Sequence, residues 1–121
     1  MTQKIKQAVM ASFVADALAL GVHWVYRVSD IDEKYGRLES MVTPEIARWH
    51  RGKDKGAFTH YGDQSLVLLK FLAKAKKFDL NLFAVTWQDF FQNYSGYIDQ
   101  ATKETLKNFS ADTPPEKAGS P

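Results

Sequence analysis

Residues 58–65, Phe-Thr-His-Tyr-Gly-Asp-Gln-Ser, place an imidazole, a carboxylate and a hydroxyl next to a glycine. The apolar run 66–73 follows directly and predicts a helix from Asp63 to about residue 77. The polar side chains would then lie at the N-terminus of this helix, where four backbone N–H groups lack partners and the helix dipole is positive. Gly62 or Asp63 is expected to be the N-cap. The sequence leaves open whether Asp63 only caps the helix or belongs to a binding site.

A second carboxylate, Asp16, lies in an N-terminal segment whose apolar residues recur with the helical period. The segment 4–20 is predicted to be a helix, and from Ala8 onward it is apolar on nearly every side, so we expect it to be central and buried. Because burial of an unpaired charge is costly, Asp16 should have a specific partner. This partner is either the end of a neighbouring helix or a polar site between helices, and we expect Asp16 to meet the stretch around Asp63.

His23 follows the first helix and stands directly before Trp24. A single histidine beside aromatic residues is more often a hydrogen-bonded core residue than a ligand or a base, and both interpretations stay open here. The next segment, 37–55, contains a proline, a glycine and several charges, so we expect it to be mostly irregular, with a weak helical stretch over 44–50. An irregular connection of this length is often a binding loop or a lid.

Short capped helices are predicted for the rest of the chain. A helical turn over 31–35 would end at Gly36, a helix with an aromatic stripe would begin after Asp79, and a last helix would begin after Asp99. The aromatic stripe is more typical of core packing than of a stacking platform for bases. The tail 110–121 contains three prolines, a glycine and no large apolar residue, so we expect it to be mobile unless something else orders it. These elements predict an all-α fold in a single domain spanning residues 1–121.

The composition narrows the class of protein. Hydrophobic residues make up 45% and charged residues 25% of the 121-residue chain, which is typical of a globular domain with its own core. The net charge of +2 is spread along the chain, so a nucleic-acid partner is not expected. The chain has no cysteine, which fits a reducing compartment, and Asp16 interrupts the N-terminal apolar run and argues against a signal peptide or a membrane span. We therefore expect a cytoplasmic protein.

Three stretches of the chain match the pattern of one known family. Residues 11–19, Ala-Ser-Phe-Val-Ala-Asp-Ala-Leu-Ala, are similar to a first-helix pattern Gly-x-x-x-Gly-Asp-Ala-x-Gly, with alanine in place of glycine. Residues 62–68, Gly-Asp-Gln-Ser-Leu-Val-Leu, are similar to a Thr-Asp-Asp-Thr motif and its following helix. Residues 97–108 and 114–120 resemble the middle of a subgroup that also has a His-Trp pair. Together they resemble the N-terminal part of the ADP-ribosylglycohydrolase family.

The resemblance implies an orthogonal helical bundle, of which this chain would be the N-terminal portion only, and a site with two magnesium ions that grip the ribose of the substrate. By the resemblance, Asp63 and Ser65 would face the metal, whereas His60, Asp16 and His23 would contact the substrate. The family pattern also brings Asp16 and the stretch around Asp63 to one cleft. Gly62 and Gln64 stand where the family has threonine and aspartate, and the family's second carboxylate cluster comes later in the chain. The resemblance does not indicate a catalytic residue.

Two functions follow from the resemblance. The first is a truncated hydrolase that acts on ADP-ribosylated substrates, and the second is a non-catalytic, ligand-binding or crystallin-like structural module of the same family. The expected partner is an ADP-ribose-type small molecule or an ADP-ribosylated protein. We also expect association with a second copy or with a missing C-terminal half. The charge balance further predicts that this chain alone does not hold Mg²⁺ tightly, because it offers one carboxylate where the family motif has two.

Overall fold

The computed structural model describes residues 2–120 and is all-helical over this range, without a strand. This confirms the predicted all-α class. The contacts divide the chain into two compact units, 2–63 and 64–120, where the sequence predicted one domain. The α-helices are α1 (Gln3–Ala19), α2 (Val28–Tyr35), α3 (His60–Ala75), α4 (Leu80–Gln92) and α5 (Gln100–Ser110). The boundary between the units falls within α3.

Helix α1 is less buried than its composition predicted. Its N-cap is Thr2, whose hydroxyl accepts a hydrogen bond from the backbone of Ile5 at 3.4 Å, and only Phe13 and Ala17 are buried within it. Met10 is 60% exposed. The expectation of a central, buried helix was therefore wrong, because one stripe of α1 is covered by protein and its other apolar side chains face solvent.

The segment Gln3–Val22 has 20 residues and is long and apolar enough to cross a membrane; a window of 18 residues within it has a mean hydropathy of 1.5, and 17% of that window is buried. The core helix of a water-soluble protein and an N-terminal signal sequence satisfy the same criteria. Length and composition therefore do not by themselves assign a membrane role to this segment.

Helix α2 ends at Tyr35, and its C-cap is Gly36, the predicted stop, which has a φ of 63°. Its N-cap is Arg27, and Asp30 lies in the first turn, where it accepts a hydrogen bond from the Arg27 guanidinium at 2.9 Å. The segment that follows is irregular apart from a 3₁₀ turn, Arg48–His50, in place of the predicted stretch over 44–50. This loop carries a buried histidine and a lysine that both belong to the site described below.

Helix α3 begins at His60 and ends at Ala75, earlier at both ends than predicted. The expected caps, Gly62 and Asp63, lie inside the first turn. The hydroxyl of Thr59 takes the capping position, because it accepts hydrogen bonds from the backbone N–H groups of Tyr61 and Gly62 at 3.2 and 3.4 Å.

In the second unit, α4 and α5 have the predicted caps. The carboxylates of Asp79 and Asp99 accept hydrogen bonds from backbone N–H groups in the first turns, at 3.0 and 2.8 Å. The aromatic stripe of α4 packs within this unit, as expected: the ring centroids of Trp87 and Phe91 are 4.6 Å apart, and those of Trp87 and Phe109 are 6.1 Å apart. Helix α4 ends at Gln92, before the predicted stop at residue 96.

The segment after α5 is held in place, whereas the sequence predicted a mobile tail. Ala118 is fully buried, and its carbonyl accepts a hydrogen bond from the Asn108 side chain at 3.0 Å. The hydroxyl of Ser120 donates to Glu104 on α5. Small residues and a 3₁₀ turn, Pro115–Lys117, let this segment lie close against α5 without a large apolar side chain. Pro121 lies outside the described residues.

Candidate functional site

Asp16 and the start of α3 meet in the first unit, as the sequence predicted. One Asp16 oxygen accepts a hydrogen bond from the Thr59 backbone N–H at 2.8 Å, and the other accepts one from the Thr59 hydroxyl at 2.6 Å. Thr59 is 1% exposed. The expected partner of Asp16 is therefore a neighbouring helix end, and both of its carboxylate oxygens are engaged in holding that end.

Gly62 allows the Asp16 carboxylate to lie close to the start of α3. A Cβ atom built on Gly62 would collide with the carboxylate of Asp16 and would lie 2.8 Å from the Cβ of Phe58. Any larger residue would have to displace one of these neighbours. Packing therefore explains the glycine at the first position of the Gly-Asp-Gln-Ser motif, because only a residue without a side chain lets the Asp16 carboxylate reach the N-terminal turn of α3.

Asp63 forms an ion pair with Lys53. The ammonium of Lys53 lies 2.5 Å from Asp63 Oδ2 and donates a second hydrogen bond to the Phe58 carbonyl at 2.6 Å. The two side chains are 18% and 21% exposed, so water screens this pair only in part. The pair ties the irregular loop to the first turn of α3.

Ser65 and Gln64 belong to the second unit. The Gln64 side-chain oxygen accepts a hydrogen bond from the Trp87 indole N–H at 2.9 Å. Both Ser65 and Gln64 line an open cavity of about 240 Å³, with Leu68, Phe83 and Trp87. Gln64, which stands where the family motif has an acidic residue, thus holds a half-buried indole, and the role of Ser65 as a metal ligand stays a prediction.

His23, His50 and His60, which are all the histidines of the sequence, lie together in the first unit. The Nδ1 atom of His23 and the Nε2 atom of His50 form a hydrogen bond of 2.7 Å. His50 and His60 are each 1% exposed, and their rings stack with centroids 5.5 Å apart. His23 is therefore the hydrogen-bonded histidine that the sequence suggested, but its partner is a loop residue that sequence reasoning did not select.

The cluster favours neutral imidazoles. Burial, followed by the neighbouring His23 and His60, lowers the pKa of His50 to about 4, because burial disfavours the charged form and protonated rings would repel one another. Burial also lowers the pKa of His23, and the neighbouring His60 ring contributes to this lowering as the second cause. The charge of Asp16 acts in the opposite direction on both pKa values. Both pKa values therefore favour uncharged rings at neutral pH, and the hydrogen bond between them requires one ring nitrogen to donate and the other to accept.

Asp16 and Asp63 do not offer the set of ligands that Mg²⁺ prefers. This ion takes near-octahedral oxygen ligation and needs carboxylates to neutralise its charge. The Lys53 ammonium already neutralises Asp63, and Thr59 engages both oxygens of Asp16. The residues present therefore do not fit the magnesium site that the resemblance implied, unless both sets of contacts are broken.

The sequence identified some of these residues and missed others. It selected Asp16, His23, His60 and Asp63, and the structure places all of them in the first unit, although their roles in substrate or metal binding remain predictions. It missed the ion-pair and cluster partners in the loop, Lys53 and His50. The one available signal for His50 was that the chain has three histidines and that two of them had already been selected.

Comparison with known proteins shows to which family the chain belongs. The sequence pattern of the ADP-ribosylglycohydrolase family matches residues 1–121. Crystallin J1A of Tripedalia cystophora is 32% identical over 107 residues, which cover 85% of this chain and 32% of the crystallin. Crystallin J1B of the same organism is 31% identical, with the same coverage. No solved structure matches at a significant level. The chain spans about a third of the length of these curated relatives, and it belongs to the ADP-ribosylglycohydrolase family.

Proposed function

We propose that this chain is the ligand-binding N-terminal part of an ADP-ribosylglycohydrolase-like hydrolase that acts on ADP-ribosylated substrates, and that by itself it does not hydrolyse them. The single observation that carries this proposal is the ion pair between Lys53 and Asp63, at the position that matches the family's metal motif. Family membership supports the substrate class, and the ion pair supports the absence of turnover by this chain alone.

The argument rests on charge. A pair of divalent ions brings four positive charges, which a site must balance with several carboxylates. Asp63 is the one carboxylate in the matching motif, and its charge is already balanced by Lys53. Asp16 could contribute only by giving up its hydrogen bonds to Thr59, which hold the start of α3. Water is therefore the better ligand for magnesium in this chain.

A structural, non-catalytic module is the second candidate. It is favoured by the similarity to crystallins J1A and J1B, which covers 85% of this chain. The two candidates differ in ligand binding, because a structural module has no need to bind ADP-ribose. Under the first candidate, Asp16 and the first turn of α3 keep an ADP-ribose site without metal.

Calorimetric titration with Mg²⁺ and with ADP-ribose tests the proposal, together with release of ADP-ribose from a modified peptide. We expect no Mg²⁺ binding in the micromolar range, no turnover above that of a buffer blank, and measurable ADP-ribose binding. The Asp16→Asn variant should weaken ADP-ribose binding, and the exposed variant Glu39→Gln serves as the matched control.

Two outcomes would change the assignment. Micromolar Mg²⁺ binding, or turnover that disappears in the Asp63→Ala variant, would show that the chain is a working enzyme and that Asp63 is a metal ligand. Absence of ADP-ribose binding, with a folded protein by circular dichroism, would leave the structural module as the better assignment.

A further inference from the structure

The three histidines come from separate parts of the first unit. His23 follows the 3₁₀ turn after α1, His50 ends the 3₁₀ turn Arg48–His50, and His60 is the first residue of α3. Each offers a ring nitrogen, and these three atoms lie within 4.8 Å of one another. We propose that His23, His50 and His60 form a binding site for a zinc-type transition-metal ion, with a fourth position open to water or another ligand.

The spacing of the rings fits such a site. With metal–nitrogen bonds of about 2.05 Å, tetrahedral geometry places imidazole ring centres about 5.2 Å apart and the nitrogen donors about 3.3 Å apart. The observed ring-centroid distances are 4.9 Å for His23 and His50, 5.6 Å for His23 and His60, and 5.5 Å for His50 and His60. Shifts of less than about 1 Å per ring would therefore bring the donors to coordination distance.

The protonation state of the histidine rings also suits metal binding. A histidine binds a metal through a neutral ring nitrogen, and a protonated ring must first lose its proton. Burial and the neighbouring rings lower the pKa of His50 and of His23, so both are neutral at pH 7. The hydrogen bond between them would be replaced by two bonds to the ion. The charge of Asp16, which acts on both rings, favours a cation at the cluster.

The surroundings hold the rings in place. The His23 ring stacks on Trp24 with centroids 5.1 Å apart, and the Trp24 ring also contacts His60 at 4.9 Å. Trp24 has a φ of 61°, which is uncommon for a bulky residue and persists only where its surroundings enforce it. Tyr61 lies against the His60 ring with centroids 4.0 Å apart. This packing reduces the reorganisation that binding an ion requires.

The chemistry of the donors selects the class of ion. Three imidazoles suit Zn²⁺, Co²⁺, Ni²⁺ or Cu²⁺, whereas Mg²⁺ prefers oxygen ligands. Three protein ligands with an open fourth position are the arrangement of catalytic rather than structural zinc sites. The site does not depend on the Asp63 motif or on hydrolysis of ADP-ribosyl bonds, so its test is separate from that of the proposed function.

The experiment is titration of the chelator-treated protein with Zn²⁺ by calorimetry and with Co²⁺ by visible spectroscopy. The protein must be prepared without a histidine tag, because a tag would add metal-binding imidazoles. Without one, the three histidines of the cluster are all the histidines of the chain. We expect one Zn²⁺ per chain with micromolar or tighter affinity, a Co²⁺ spectrum of tetrahedral intensity that Zn²⁺ abolishes, and no response to Mg²⁺.

The His23→Asn variant should weaken Zn²⁺ binding by about 100-fold or more, because it removes a direct ligand. His23 is the least buried of the three, so this change disturbs the fold least, and Glu39→Gln is the matched control on the surface. If a variant fails to fold, the imidazole NMR signals of the wild-type protein test the proposal instead. The signals of all three histidines must shift when Zn²⁺ is added. Wild-type protein that does not bind Zn²⁺ in the micromolar range, or binds it without a shift of these signals, would overturn the proposal and leave the cluster as hydrogen-bonded core.

Discussion

His50 shows how burial changes the chemistry of one side chain. The pKa of its imidazole falls to about 4 in the folded protein, from an ordinary value of 6.5, chiefly because burial disfavours the charged form. The unfolded chain therefore takes up a proton between pH 6.5 and 4 that the folded protein does not take up. Folding stability that is fully present above pH 6.5 is lost as the pH falls through this window.

This linkage predicts acid sensitivity for the metal-free protein. Between pH 7.5 and pH 5, His50 alone should reduce the free energy of unfolding by about 2 kcal/mol, and His23 adds to the loss in the same direction. Urea denaturation at both pH values, with a chelator present, measures the difference. The His50→Gln variant should show a smaller pH dependence than wild type. Stability that is equal at both pH values, or greater at pH 5, would contradict the assignment of buried neutral imidazoles.

Helix α3 shows how one residue can fix the start of an element. Its first turn receives the Asp16 carboxylate through Thr59, and the absence of a side chain at Gly62 leaves room for that carboxylate. Alanine inside a helix is ordinarily more stable than glycine by about 1 kcal/mol. At this position the collision should reverse the sign of that preference.

We therefore expect Gly62→Ala to lower the free energy of unfolding by about 1–3 kcal/mol, because the added methyl group must displace Asp16 or Phe58. The matched control is Gly119→Ala, since nothing lies within 4 Å of a Cβ at Gly119. Denaturant unfolding of both variants, compared with wild type, gives the two values. A stabilised Gly62→Ala protein would show that the start of α3 can move away from Asp16 at little cost.

At the scale of the whole molecule, the exposed apolar surface of α1 stands out. Ile5, Met10 and Val14 are 50%, 60% and 54% exposed, on a helix with little charge beyond its first turns. Apolar surface of this extent commonly marks a contact with another protein chain. The chain also spans about a third of the length of its curated relatives. We expect this chain, studied alone, to associate with itself through α1.

Light scattering over a range of protein concentrations tests this expectation. The mean mass should rise with concentration, and Val14→Glu should suppress the rise because it places a charge in the contact. Val85, which is 57% exposed on α4, provides the matched control, and Val85→Glu should leave the association unchanged. A monomer at every concentration, or equal effects of the two variants, would contradict a contact through α1.

The local pattern of the sequence determined the all-α class and most of the helices, because periodicity and caps depend on residues within a few positions of one another. The caps of α4 and α5 were predicted from Asp79 and Asp99 alone. The meeting of Asp16 with the α3 start was expected because Asp16 and Asp63 both lie at apolar helices and the family pattern brings them to one cleft. The family resemblance was likewise visible in short motifs and is confirmed.

Only the tertiary structure decided the features that depend on contacts between residues distant in sequence. The irregular loop has no period from which the positions of Lys53 and His50 could be inferred, yet it brings one to Asp63 and the other to His23. The capping of α3 by Thr59 and the exposure of α1 were also decided there, because a cap depends on which oxygen reaches the free N–H groups and burial depends on what lies opposite. A sequence lists the groups that could interact, and the fold selects which of them come within reach.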